Sequence, residues 1–290
     1  MAHYFFNTFG QYFALFFSFY KKIPRIDGTS RAAHNTTVLT DAHLHLADLE
    51  SRDPEFHRFV SGRDWIGAAV SHDEEEHRRS VILAGLLPSC ILGFGIHPQG
   101  IRDDTAEFAE TLAEEGKISF VGEAGFDFFG DVPKRTRNPA SLDAQRKAFE
   151  FQLRLAARRR LPMVVHIRKA TDILRGYGRS LALLPGVVFH GWPGRALEAK
   201  AFLDQGVKAY FSFGTPLLRG ARHAEESIAY LSPDRLLSET DAPWQPPLGQ
   251  AHTSLTVLDE VAGRIARLKG IPREEMDGRL RENFLRAFCL

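Results

Sequence analysis

Cysteine is nearly missing from this chain: Cys90 and Cys289 are the only two in 290 residues, and they lie far apart. Two thiols cannot build a disulfide framework or a thiolate zinc site, and their scarcity suits a reducing, cytoplasmic setting. An excess of charge is missing too. Lys and Arg total 37 against 36 Asp and Glu, a formal net charge of +1, so no global field gathers polyanions and any nucleic-acid contact must come from a local patch. No internal repeat is visible, and no linker or shift in composition divides the chain after residue 37. Hydrophobic residues make up 44% and charged residues 25%, which is the balance of a soluble globular enzyme with ample material for a core.

A long hydrophobic run is the last absence. The nearest approach is Tyr4 to Tyr20, which holds seven of the 23 Phe residues and no formal charge, with Lys21-Lys22 behind it. It falls short of the roughly 20 apolar residues that cross a bilayer, and Asn7, Gln11 and Ser18 interrupt it. A secretory signal carries its positive charge before the apolar run, not after it. Phe6, Phe9, Phe13, Phe16, Phe17 and Tyr20 keep helical spacing, which would suit an interfacial helix. The mismatch in length and charge order favours an added helix on the domain, or an unordered tail, over membrane attachment. Residues 1–37 are therefore set apart from a barrel domain at 38–290, and no stable membrane insertion is expected.

What is present after residue 37 is alternation. Apolar, β-branched runs occur at Val38 to Leu46, Ile66 to Ser71, Ile91 to Pro98, Ile118 to Asp127, Pro162 to Arg168, Val187 to Gly191, Lys208 to Gly214 and Arg235 to Asp241. Helical patterns lie between most of them, at Asp104 to Glu115, Leu142 to Arg160, Gly194 to Gln205 and Ala221 to Leu231. Strands alternating with helices make a parallel sheet with right-handed crossovers. Eight such units over this length predict an α/β fold, the (β/α)8 TIM barrel. The last two helices, Ser254 to Lys269 and Arg273 to Phe288, would close the ring from outside.

The strand ends carry the chemistry. In an extended strand, residues two apart share a face, so His43 and His45 can grip one ion together. The fourth run ends in Glu123 to Asp127, the fifth in His166-Ile167-Arg168, the sixth in His190-Gly191-Trp192, and the eighth in Glu239-Thr240-Asp241. The carboxyl ends of barrel strands all open on one face, where active sites sit. A single strand-end His is more often a hydrogen-bonded rim residue than a ligand. Four histidines and two carboxylates at one end of an alternating pattern are a candidate ligand set. Imidazoles with carboxylates and no thiolate suit zinc, manganese, cobalt or nickel, with magnesium where carboxylates and water dominate. Six ligands fit two ions about 3.5 to 4 Å apart, which predicts hydrolysis.

These motifs resemble the TatD-type metal-dependent hydrolases and deoxyribonucleases of the amidohydrolase-like barrel superfamily. The resemblance covers about residues 39 to 288. It runs through Asp41 to Leu46, Gly95-Ile96-His97-Pro98, Gly122 to Asp127, Gln145 through Phe149 to Gln152 and His166 to Ala170. It continues through Phe189 to Gly194, Phe211 to Gly214, Glu239 to Pro243 and Asn283-Phe284. By that resemblance His43, His45 and Asp241 would hold one divalent ion, His166 and His190 a second, and Glu123 would bridge them. The cofactors implied are two ions per subunit, magnesium, manganese or zinc. Asp241 would orient or deprotonate the attacking water, Arg168 would contact a phosphate, and His97 and Trp192 would line the substrate pocket. Gly191 departs from the Cys common in the family, Lys169 from an acidic residue and Pro193 from a small polar one. These departures touch the pocket wall and no ligand.

Three functions follow. The first is a two-metal phosphodiesterase that works on DNA from an end. The second is hydrolysis of another ester-type bond, in a lactone, a carboxylic ester or aminoacyl-tRNA. The third is a metal-holding barrel used only for binding, against which the intact ligand set argues. Other loaded stretches read as structural. His72 to His77 looks metal-like, but its histidines are five apart rather than the four that align on a helix face, so its acids are expected on an exposed first turn. Asp127 is expected behind the ligands. Lys134, Arg135 and Arg137 are expected to be solvated, and Arg158-Arg159-Arg160 to close a helix where cations suit its dipole.

Overall fold

A computed structural model describes residues 38–62, 64–87, 89–102, 104–129 and 136–290. The aromatic tail, Lys134 and Arg135 lie outside the described residues. Eight parallel strands follow one another in sequence order: β1 (Leu39–Leu44), β2 (Trp65–Ser71), β3 (Cys90–Phe94), β4 (Phe120–Asp127), β5 (Met163–Arg168), β6 (Val187–Phe189), β7 (Ala209–Phe213) and β8 (Leu236–Ser238). Each pairs with the next in parallel register, as in Val164↔Val188 and Val188↔Tyr210. The ring is completed where β8 returns to β1: Ser238 Oγ donates to the Thr40 carbonyl at 2.7 Å, and the Asp241 amide donates to the His43 carbonyl at 2.9 Å. This is the TIM barrel that the alternation predicts.

Side chains sort by strand parity. Val164, Val188, Tyr210 and Leu237 join Ala42, Val70 and Phe120 in the interior cluster. Their neighbours Met163, Val165, Val187, Phe189, Phe211 and Leu236 pack outward under the helices. His166 and His190 continue the inward parity of Val164 and Val188 at the carboxyl end. The long helix Pro139–Arg159 begins at an Asn138 cap, whose side chain accepts the Ser141 amide at 3.0 Å, with Pro139 in the first turn where its missing N–H costs nothing. At the other end of that helix Arg158 pairs with Glu110, and Arg159 donates to the Glu114 carbonyl at 3.0 Å, which is the structural use expected of this basic run.

The closing helices differ from expectation. Val257–Lys269 does lie in the outer layer, through Val261, Ala262, Ile265 and Ala266. Arg273–Ala287 instead brings Phe284, with Phe288 just beyond it, into the interior cluster, where Phe288 meets Phe120 at a ring separation of 5.1 Å. Asn283 donates to the carbonyls of Pro233 and Leu236 at 2.8 and 2.9 Å, at the amino end of β8. The last helix therefore stoppers the floor of the barrel, opposite the face where the histidines emerge. Burying Phe284 and Phe288 there contributes about 2 kcal/mol each. Among the described residues, no helix is long and apolar enough to cross a membrane.

Candidate metal centre

Glu123 stands at the middle of the face. Its side chain is buried, and six of the chain's 12 histidines lie within 4 Å of its carboxylate. Oε2 faces Nε2 of His43, His45 and His72 at 3.4, 3.9 and 3.5 Å. Oε1 faces Nε2 of His190 at 2.6 Å, Nε2 of His97 at 3.6 Å, and Nδ1 of His166 in close contact. Asp241 Oδ1 lies 3.4 Å from Nε2 of both His43 and His45. All six residues expected as ligands are thus brought together. Among the described residues, geometry forms four groups that could each hold an ion: His43, His45 and Asp241; His43, Glu123 and His190; His97, Glu123 and His166; and His45, His72 and Glu76.

Local backbone irregularities aim these groups. The β1–β2 register shifts between Asp41 and Leu44, and the β4–β5 register shifts between Val121 and Ala124. Strict alternation would put His43 opposite its inward neighbour Ala42; the shift lets both face in, as bulges beside active sites commonly do. Asp241 has φ +58°, in the left-handed region, where a short polar residue is tolerated better than most. Two glycines permit the close approach of β4 to its neighbours. A Cβ on Gly95 would lie 2.5 Å from the Gly122 carbonyl carbon, and one on Gly125 would lie 2.0 Å from the His166 oxygen.

Behind the inner ring stand carboxylates. Asp127 Oδ2 meets His166 Nε2 at 3.1 Å, the supporting place expected of it. Glu239 Oε1 lies 3.7 Å from His190 Nδ1, and Glu76 Oε1 lies 3.8 Å from His45 Nδ1. A carboxylate on the far nitrogen of an imidazole fixes its tautomer and makes it a better ligand. Burial pushes the Glu123 carboxyl up, but the surrounding imidazoles, His190 and His166 foremost, outweigh it and hold the group well below the usual range. Burial likewise opposes a charge on His45, yet the neighbouring carboxylates of Asp241 and Glu76 lift its pKa to about 10. Both ring nitrogens of His43 are buried without a hydrogen-bond partner. Buried polar atoms are rarely left so, and a cation among His43, His45 and Asp241 satisfies Nε2. The donor set fits divalent metal ions.

Other expected residues take varied positions. His97, half-buried beside Glu123, has its Nδ1 accepting the Gln99 amide at 3.2 Å, which leaves the neutral ring's proton on Nε2. Burial dominates its titration and holds its pKa well below 6.5. Arg168 is exposed at the end of β5, its guanidinium 4.3 Å from the Phe129 ring centre. Trp192 requires correction: it is 2% exposed, packed on Phe189, Phe202 and Phe211, with its indole N–H donating to Ser227 Oγ at 3.3 Å, and so presents no face to a pocket. The positive φ of Gly191, +52°, turns the chain so that Trp192 folds back onto the helix layer. Trp244 takes the aromatic place at the mouth. It is 41% exposed, edge-on to His45 at 6.3 Å, and carries Arg52 over its ring at 4.6 Å. The first-turn acids also need correction, because Glu76 turns inward to His45 and His72 rather than to solvent. Arg137 pairs with Asp172 at 2.5 Å.

A model of the family described as TatD related DNase matches residues 40–289. The chain is 30% identical over 205 residues to the 3'-5' ssDNA/RNA exonuclease TatD of Citrobacter rodentium, covering 67% of this chain and 75% of that one. It is 28% identical over 268 residues to the uncharacterized metal-dependent hydrolase YcfH of Escherichia coli K12, covering 86% and 95%. Among solved structures it resembles YJJV, a TatD homolog from E. coli K12, with a TM-score of 0.76, 25% identity, and coverage of 87% of this chain and 98% of that chain.

Proposed function

The chain belongs to the TatD-related DNase family, and from this premise we propose that it is a metal-dependent hydrolase that cleaves phosphodiester bonds of DNA from an end. The observation that carries this reading is the central carboxylate of Glu123, with histidines on both oxygens and Asp241 beside two of them. His43, His45 and Asp241 would hold one divalent ion, His166 and His190 the other, with Glu123 shared between them. Such a pair of ions supplies a water made nucleophilic near neutral pH and neutralises charge on the phosphate and leaving oxygen.

The remaining roles fall to the chain's own groups. Gln245 Nε2 holds Asp241 Oδ2 at 2.6 Å. Burial raises the Asp241 carboxyl, but the imidazoles of His43 and His45 beside it outweigh this and keep the group well below the usual range. Held in this place, Asp241 would orient or deprotonate the attacking water. His97 presents Nε2–H, a neutral donor for a phosphate oxygen. Arg168 offers a cation to the backbone of the strand, and with His97 it would offset charge that develops in the transition state. Phe129, 47% exposed under Arg168 and Lys169, and Trp244 under Arg52 are two aromatic faces with cations upon them. Sequence-tolerant binding of single strands uses this pairing of stacking surface and charge.

The test is hydrolysis of end-labelled single-stranded DNA by metal-stripped protein, with magnesium, manganese or zinc restored, beside Asp241→Asn. A metal-dependent ladder, absent in the variant, is the expected result and shows the polarity of attack. Folded, metal-loaded protein that leaves DNA intact would overturn the phosphodiester assignment.

A further inference from the structure

Three imidazoles face each oxygen of Glu123, yet the proposed ligands use only two on each side. The unused pair, His72 and His97, differ in what meets Nδ1. His97 accepts the Gln99 amide on Nδ1, so its neutral ring carries the proton on Nε2 and that nitrogen is a donor. Nδ1 of His72 faces a carboxylate instead, Glu76 Oε2 at 3.6 Å, so a proton there and a lone pair free on Nε2 are compatible. Nε2 lies 3.5 Å from Glu123 Oε2, buried without a hydrogen-bond partner, and a cation shared with Glu123 would satisfy it.

Glu76 is pinned for the task by the start of its helix, Glu74–Leu86. Asp73 caps that helix and accepts the Glu76 amide at 2.8 Å, while Glu76 Oε2 accepts the His72 amide at 2.7 Å. Capping alone accounts for Oε2. It leaves Oε1 buried and unpartnered, turned to Nδ1 of His45 at 3.8 Å. One carboxylate thus addresses the far nitrogens of His45 and His72 together, and the two rings lie 5.2 Å apart.

We propose that His72 is a further ligand of the ion held by His43, His45 and Asp241, that Glu76 is the positioning residue for both His45 and His72, and that the third imidazole selects a transition ion such as zinc, cobalt or nickel over magnesium. This rests on the two-ion reading above. Three imidazoles with a carboxylate and a shared carboxylate oxygen leave little room for the water and oxygen shell that magnesium demands.

The experiment measures ion content and affinity rather than turnover. Wild type, His72→Ala and Glu76→Gln are stripped, titrated with zinc against a competing chelator, and loaded with cobalt for visible spectra, with far-UV circular dichroism to establish the fold. Wild type is expected to bind two zinc ions. His72→Ala should weaken one of them by roughly 10- to 100-fold, leave the other unchanged and alter the cobalt spectrum; Glu76→Gln should weaken the same ion by about 10-fold. The zinc-over-magnesium preference should narrow in both variants. Two ions bound by wild type and bound equally well by folded His72→Ala would overturn this inference and leave the two-ion centre standing. Wild type that binds no zinc, cobalt or nickel would overturn both.

Discussion

Two seams of the barrel bring the candidate ligands together, and they do so by opposite means. Between β4 and β5 the backbone does the work: the ladder pairs Gly125 with His166, and the missing Cβ of Gly125 lets the strands close. Between β8 and β1 side chains do it. Asp41, fully buried, accepts from the Thr240 amide at 2.9 Å, the Thr240 hydroxyl at 2.6 Å and the His43 amide at 3.2 Å, while Thr40 and Ser238 bond across the junction. Past the strand ends, the Asp241 and His45 amides reach the carbonyls of His43 and Ala242. One seam should fail when an atom is added, the other when atoms are removed.

The largest expected effect falls on the group that joins the two halves. Glu123→Ala should lower kcat on single-stranded DNA by at least ~10³-fold, about 4 kcal/mol of barrier, and lose one equivalent of bound zinc. Full activity would show that each half works without the shared carboxylate. Next come the seams themselves. Gly125→Ala forces a methyl into the His166 carbonyl and should cost roughly 3 kcal/mol or more in urea unfolding. Asp41→Ala strands three buried donors and should also cost about 3 kcal/mol. A Gly125→Ala protein as stable as wild type would remove the distinction between the seams.

A smaller effect sets two histidines of one neighbourhood against each other. His72 looks into the face of histidines, whereas His77, five residues on and inside the helix, is buried between Phe94 and Phe108 with both ring nitrogens unpartnered. Burial lowers the His77 pKa to about 4. The folded state therefore refuses a proton that the unfolded chain accepts near pH 6.5, and stability falls as pH drops from 6.5 towards 4. Between pH 6.5 and 5 this amounts to about 2 kcal/mol. His77→Leu should flatten that part of the stability profile, and an unchanged slope would contradict neutral burial. The smallest effect is expected from beginning the chain at Val38, which should leave hydrolysis unaltered; an unfolded product would assign residues 1–37 to the domain.

The barrel is legible because eight apolar runs alternate with helical patterns, and its working face because most of those runs carry a His, Glu or Asp at their ends. His166 and His190 could be placed by counting in twos from Val164 and Val188. His43 needed more than counting, since the register shift beside it breaks the alternation. Trp192 misled because its neighbour His190 faces the pocket; the left-handed turn at Gly191, which reverses the chain, has no signature except the glycine itself. The spacing rule that makes His72 to His77 look structural holds for two residues on one helix, but His72 precedes its helix, and the useful signal is the cap pattern His72-Asp73-x-x-Glu76. The stopper role of Phe284 and Phe288 depends on where the last helix docks, which local sequence does not encode.

The left-handed backbone at Asp241 also decides how a substrate complex could be captured. An inert protein that still grips its DNA must lose the carboxylate's charge without disturbing the turn on which it stands. Alanine there would carry a backbone penalty of about 1 kcal/mol, whereas asparagine visits this conformation readily. Asp241→Asn is therefore the decoy of choice: a barrel that should hold its strand and not release it as fragments, fit for fishing out the nucleic acid it meets.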